Sequence, residues 1–194
     1  RAAMGSDVAI LAAMQVNNEI GVVQPLDALA DIAKEAGALF LSDCVQGYGR
    51  MATPDADMIA LSGHKIYGPK GIGALWLRDG VEIAPLILGG GQEQGLRSGT
   101  LSPALCVGLG EAARLSAERM EADAAHVEAL RNIACGLFED WTINGSSEAR
   151  YHGNLNIRRD GLDAARLVSE VRSVLFSVGS ACASGSGRPS HVLS

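Results

Sequence analysis

The run Ser62-Gly63-His64-Lys65-Ile66-Tyr67-Gly68-Pro69-Lys70-Gly71-Ile72-Gly73 sets a lysine among small and polar residues directly after an apolar segment. An amine placed there is suited to forming a Schiff base with a carbonyl compound. Upstream, Asp43-Cys44-Val45-Gln46 closes a second apolar segment with an acid able to hold a protonated pyridine nitrogen. A lysine for the imine and a carboxylate for the ring nitrogen are what pyridoxal phosphate chemistry asks of a protein. Each residue alone has a plainer reading, as a solvated charge or a helix cap. Their order along the chain carries the argument. An acid ending one strand and a lysine following the next put both groups at the carboxyl edge of a parallel sheet, where open α/β folds bind ligands.

The elements that must position these groups read as an alternating pattern. Apolar strands are expected near Val8 to Met14, Ala38 to Leu41, Met58 to Leu61 and Ala74 to Leu77. Between the first two, Pro25 to Gly37 has helical spacing, with proline near its start and glycine just past its end. Strand, helix, strand implies a parallel pair. From about Pro103 to Asp140 the pattern is helical with one charged face, and Gly108, Gly110 and Gly136 are expected weak points. Beyond Trp141, apolar segments at Leu155 to Ile157 and Val174 to Val178 flank a helical stretch, Asp163 to Arg172, and suggest a smaller α/β domain. Three regions follow: 1–102 as part of a large domain, 103–140 as a helical connector and 141–194 as part of a small domain. The fold class is α/β with a mainly parallel sheet.

The chain of 194 residues is 47% hydrophobic, and its 16 basic against 22 acidic residues leave a net charge of −6. That balance argues against a general affinity for nucleic acid or for acidic membranes. No apolar stretch reaches the length of a membrane span and the first residues are no signal peptide, so a cytoplasmic protein is expected. The cysteines, Cys44, Cys106, Cys135 and Cys182, show neither paired CxxC spacing nor a cluster with histidine, which gives no support to a metal site. Cys106 and Cys135 fall in helical, alanine-rich sequence and read as small hydrophobes. Cys44, beside Asp43, reads as a packed residue. Cys182 differs, because Ser177 to Ser190 is small, polar and glycine-rich, as suits an exposed loop.

Five ordered blocks carry a family resemblance: Val16-Asn17-Asn18-Glu19-Ile20-Gly21, Asp43 to Gln46, the lysine run, Gly89 to Thr100, and Ser177 to Ser184. With them the chain resembles the cysteine desulfurases of the NifS/IscS type, in the class V aminotransferase group of fold-type I pyridoxal phosphate enzymes. The resemblance implies that Lys65 forms the Schiff base and moves protons, that Asp43 holds the ring nitrogen, and that Gln46 hydrogen-bonds the phenolic oxygen. It implies that Asn18 lies near that oxygen and the substrate carboxylate, although a turn role before Glu19 is equally open from the residues themselves. Ser62 and His64 match phosphate ligands, and Thr100 matches a residue reaching the phosphate of the other subunit of a dimer. Lys70, after Gly68-Pro69, reads as part of a turn, and Arg97 as a loop anchor.

Within the resemblance Cys182 takes sulfur from L-cysteine as a persulfide, leaving alanine, and delivers it to a scaffold or carrier protein for iron-sulfur cluster assembly or tRNA thiolation. A thiol of pKa about 8.5 needs a base or a positive environment to attack, and His64 and His191 are the candidate helpers. Two relatives of the reading stay open: another class V enzyme, such as a selenocysteine lyase or an aminotransferase-like protein, and a non-catalytic fragment. The resemblance covers about half of a desulfurase. It implies a preceding segment with a phosphate loop and a stacking ring, and a following one with an arginine for the substrate carboxylate.

Overall fold

The computed structural model describes residues 2–179 and 190–193. The described residues fall into two compact units that do not follow chain order. One comprises the chain up to Gln15 together with Gln24–Asp123, and the other comprises Val16–Val23 together with the described residues from Ala124 on.

The first unit is built on a four-stranded sheet of order β1-β2-β3-β4, with β1 Ile10–Met14, β2 Leu39–Asp43, β3 Met58–Ser62 and β4 Gly73–Leu77. β1, β2 and β3 run parallel, with Met14 opposite Asp43 and Asp43 opposite Ala60. β4 returns antiparallel to β3. The short stretch from Gly63 to Ile72 leaves no room for the crossover that a parallel partner would need.

Helix α1, Leu26–Ala36, makes the connection from β1 to β2. Its end falls at the glycine expected to stop it. Gly37 takes the left-handed conformation at φ 69°, its N–H donates to Lys34 O at 3.1 Å, and the Ala38 N–H donates to Ala33 O at 2.9 Å. This pair of bonds satisfies carbonyls that the helix end would otherwise strand. Leu26 and Ala33 of α1 join Phe40, Cys44, Ala56 and Ile59 in the core, with Leu11, Ala13, Leu29, Ala30 and Tyr48 packed around them. Burying a side chain such as Phe40, 1% exposed, contributes about 1.5–3 kcal/mol.

Helix α2, Pro103–Leu137, runs unbroken through Gly108, Gly110 and Gly136. The glycines are therefore not breaks. A Cβ on Gly108 would come within 2.5 Å of Pro69 Cγ, Ala112 Cβ lies 3.1 Å from where a Cβ on Gly68 would stand, and Ser116 Cβ lies 2.6 Å from the equivalent point on Gly49. Positions 108, 112 and 116 share one helix face. Small residues there let α2 lie directly against the turns that follow β2 and β3.

In the second unit β5, Thr142–Ile143, pairs antiparallel with β6, Ile157–Arg158, and α3 spans Ala164–Glu170, capped by the Asp163 carboxylate accepting from the Arg166 N–H at 3.0 Å. Val174 to Val178, apolar enough to suggest a strand, forms none; Leu175 is fully exposed and Val174 and Val178 are more than half exposed. Within this unit Arg150 is the hub. Its Nη2 donates to Ile20 O at 2.8 Å and to Asn144 O at 2.5 Å, and its Nε donates to Ser146 O at 3.0 Å. Val22 bridges to Arg150, and the Tyr151 N–H donates to Gly21 O at 2.8 Å. These contacts fasten the Val16–Val23 segment to chain more than a hundred residues away.

Candidate active site

Asp43 ends β2 with its carboxylate exposed, and Oδ1 accepts from the Val45 N–H at 2.9 Å. That bond folds the chain into the turn 44–50 that carries Gln46. On the neighbouring strand, Ser62 ends β3 and opens a 3₁₀ helix, Gly63–Ile66, in which Lys65 stands half-buried. Because Asp43 pairs in register with Ala60, the acid and the lysine turn occupy the same carboxyl edge of two adjacent parallel strands.

The lysine lies on a tight 3₁₀ turn rather than an open loop, and the turn depends on its neighbours. Gly63 is buried, and a Cβ there would stand 3.0 Å from Ile72 Cγ2 and 3.1 Å from Pro69 O, so a larger residue would crowd both. Tyr67 closes the turn in the left-handed region at φ 63° and is 96% exposed. A non-glycine residue in that region costs roughly 1–2 kcal/mol. Packing of Pro69 and Gly68 against α2 holds the chain there.

Ser62 Oγ and His64 Nδ1 lie 2.9 Å apart, His64 exposed. A hydroxyl and an imidazole at the start of a 3₁₀ turn supply donors to a dianion. The Gln46 side chain is held by Arg50, whose Nη1 donates to Gln46 Oε1 at 3.2 Å and to Gln46 O at 3.1 Å, while its Nη2 donates to Lys65 O at 2.7 Å. Beneath Asp43, Cys44 is fully buried and its thiol donates to Ser42 Oγ at 3.4 Å. Burial pushes the Cys44 thiol above its ordinary pKa; the Ser42 contact opposes this and the Asp43 charge adds to it.

Asp43, Gln46, Ser62, His64 and Lys65 thus share one sheet edge. Thr100 belongs to the same unit and stands exposed three residues before α2. Asn18 belongs to the other unit, exposed, with its carbonyl accepting from Asn154 Nδ2 at 3.5 Å. Its neighbours are fixed by Asn17 Oδ1, which accepts from the Glu19 and Ile20 N–H groups at 2.9 and 3.1 Å. Cys182 lies outside the described residues. His191 is described and exposed. Among the described residues no group of acids, cysteines and histidines could hold a metal ion.

Sequence reasoning passed over Arg50 and Gln15. Gln15, buried after β1, donates through Nε2 to Ala52 O at 2.7 Å and braces the far end of the turn bearing Gln46. Arg50 left one faint trace, its four-residue spacing from Gln46; its reach to Lys65 left none.

Cysteine desulfurase IscS of Rickettsia rickettsii is 46% identical over 195 residues, covering 95% of this chain and 47% of its own. A mitochondrial cysteine desulfurase of Eremothecium gossypii is 44% identical over 98% of this chain and 41% of its own. The chain spans about half the length of the curated relatives it matches. Among solved structures, DndA from Streptomyces lividans superposes with a TM-score of 0.77 at 34% identity, over 87% of this chain and 50% of that one. Aminotransferase class-V is the family whose sequence profile matches residues 1–193. With the acid and the lysine turn on one edge of a parallel sheet and that match along its length, the chain belongs to the aminotransferase class-V family.

Proposed function

We propose that this chain carries the cofactor face and the nucleophile of a cysteine desulfurase. In this reading the whole protein converts L-cysteine to L-alanine, passes the sulfur through Cys182 to a scaffold or carrier protein, and works as a homodimer in the cytoplasm. The observation that carries it is the shared sheet edge of Asp43 and the Lys65 turn, read beside the cysteine desulfurase relatives. Family members use pyridoxal phosphate, and the donor set fits that group: an amine, an acid, an amide and a hydroxyl–imidazole pair gathered at one edge.

When bound, pyridoxal phosphate supplies an electron sink conjugated to the substrate carbons. Asp43 keeps the ring nitrogen protonated, which deepens that sink. Ser62 and His64 hold the phosphate, with Thr100 reaching it from the other subunit. The Gln46 amide donates to the phenolic oxygen, and Asn18 serves that oxygen and the substrate carboxylate. Lys65 would hold the group through its amine and, once free, would move protons at the substrate carbons. The Cys182 thiolate attacks the substrate sulfur. An S–S bond forms as the C–S bond breaks, the electron pair stays with the three-carbon fragment, and protonation yields alanine. One thiol and one cysteine become one persulfide and one alanine, so no outside oxidant or reductant is needed.

The test is a visible spectrum of the full-length protein with added pyridoxal phosphate, followed by L-cysteine and assays for sulfide and alanine. A visible band that Lys65→Ala abolishes, with both products formed and lost in Cys182→Ser, supports the reading. A band without sulfide would move the protein to another class V chemistry.

A further inference from the structure

Resting on that reading of the site, we propose that Arg50 is a positioning residue that acts through Gln46 and decides which end of the Gln46 amide faces the cofactor's phenolic oxygen. A guanidinium has only donors. The Gln46 side-chain atom 3.2 Å from Arg50 Nη1 is therefore the oxygen, whichever way an amide is drawn. With Oε1 committed to Arg50, the NH₂ end is the one left to donate. An amide so turned stabilises a phenolate oxygen and offers nothing to a phenol proton.

The same side chain fixes where that donor stands. Arg50 Nη1 also donates to Gln46 O at 3.1 Å, and Nη2 donates to Lys65 O at 2.7 Å, fifteen residues along the chain. One rigid planar fork thereby ties the turn after β2 to the turn after β3 and sets the spacing between the Gln46 amide and the lysine that anchors the ring. Lysine could not replace it, since a single ammonium on a flexible stem cannot hold both turns in fixed geometry.

The experiment uses the full-length protein, pyridoxal phosphate as the probe, and two readouts besides turnover: the dissociation constant of pyridoxal phosphate and the pH midpoint of the visible band. Arg50→Ala should weaken binding roughly tenfold, the loss of one charge-assisted hydrogen bond, and raise the midpoint, because the phenolate loses its donor. Gln46→Ala should shift both readouts the same way, and the double variant should raise the midpoint no further than Gln46→Ala alone. Arg50→Lys, which keeps the charge and guards against a variant that does not fold, should move the midpoint towards that of Gln46→Ala.

Two results would overturn the proposal: a midpoint unmoved in both Arg50 variants, or midpoint shifts from Arg50→Ala and Gln46→Ala that add fully in the double variant. A wild-type protein with no visible band sensitive to Lys65→Ala would instead bring down the site reading, and this inference with it.

Discussion

Cys44 sits one residue from the proposed pyridinium partner, yet its environment predicts an inert thiol. An ordinary thiol, of pKa about 8.5, is about one-quarter thiolate at pH 8. Burial raises the Cys44 value, with Asp43 adding to the shift against the opposing pull of Ser42, so the reactive fraction falls below that. Access is the second barrier, because the residue is 0% exposed. Even a local opening costing only ~3 kcal/mol would leave the site open about one part in 150 of the time. The two factors together put its alkylation by iodoacetamide at least ~100-fold slower than that of an exposed thiol. Peptide mass spectrometry after timed labelling reads this directly, with Cys106 and Cys135, both partly exposed, as internal references. The rate should climb steeply in urea. Labelling of Cys44 within tenfold of the references in native buffer would refute the packed reading and make it a rival to Cys182. The pKa also sets a stability trend. A folded-state value raised above the ordinary one means that the unfolded chain ionises first, so this contribution is whole below about pH 8.5 and is lost as the pH climbs through the folded value.

Three further outcomes follow from the geometry. Gly108→Ala, which in an exposed helix interior would add about 1 kcal/mol of stability, should instead destabilise by roughly 1–3 kcal/mol, because the new Cβ would stand 2.5 Å from Pro69 Cγ; a higher melting temperature would contradict the close packing of α2. Arg150→Met removes donors from Ile20 O, Asn144 O and Ser146 O and should cost at least the ~1–3 kcal/mol of leaving a buried carbonyl unpaired, read as faster amide exchange in Val16–Val23; unchanged exchange there would refute the anchoring role. Asp43→Asn keeps an acceptor for the Val45 N–H and should melt within about 0.5 kcal/mol of wild type. It should nevertheless lower the bound ring nitrogen's pKa by about 1–3 units, visible as a changed absorbance of the bound cofactor.

How far the sequence reached depended on the range of the forces involved. α1 was legible between Pro25 and Gly37 because proline's fixed φ and glycine's access to φ 69° are properties of single residues. Apolar runs marked β1 to β4 to within two residues at either end. The direction of β4 was not read, although the short stretch from Gly63 to Ile72 is too brief for the crossover a parallel partner needs. Nor was the failure of Val174 to Val178 to form a strand, because a strand exists only where a partner's N–H and C=O groups meet it.

At the site, the types and order of Asp43, Gln46, Ser62, His64 and Lys65 were readable as chemistry from the chain alone, because strand ends on a parallel sheet share an edge. What only tertiary structure decided was how those groups are held: the small face of α2 against Gly49, Gly68 and Pro69, Tyr67 kept in the left-handed region, the Val16–Val23 segment fastened by Arg150, and Arg50 spanning from Gln46 to Lys65. Propensity and periodicity act over a turn or a strand. A guanidinium that meets a carbonyl fifteen residues away does so only after the sheet has brought two strand ends together.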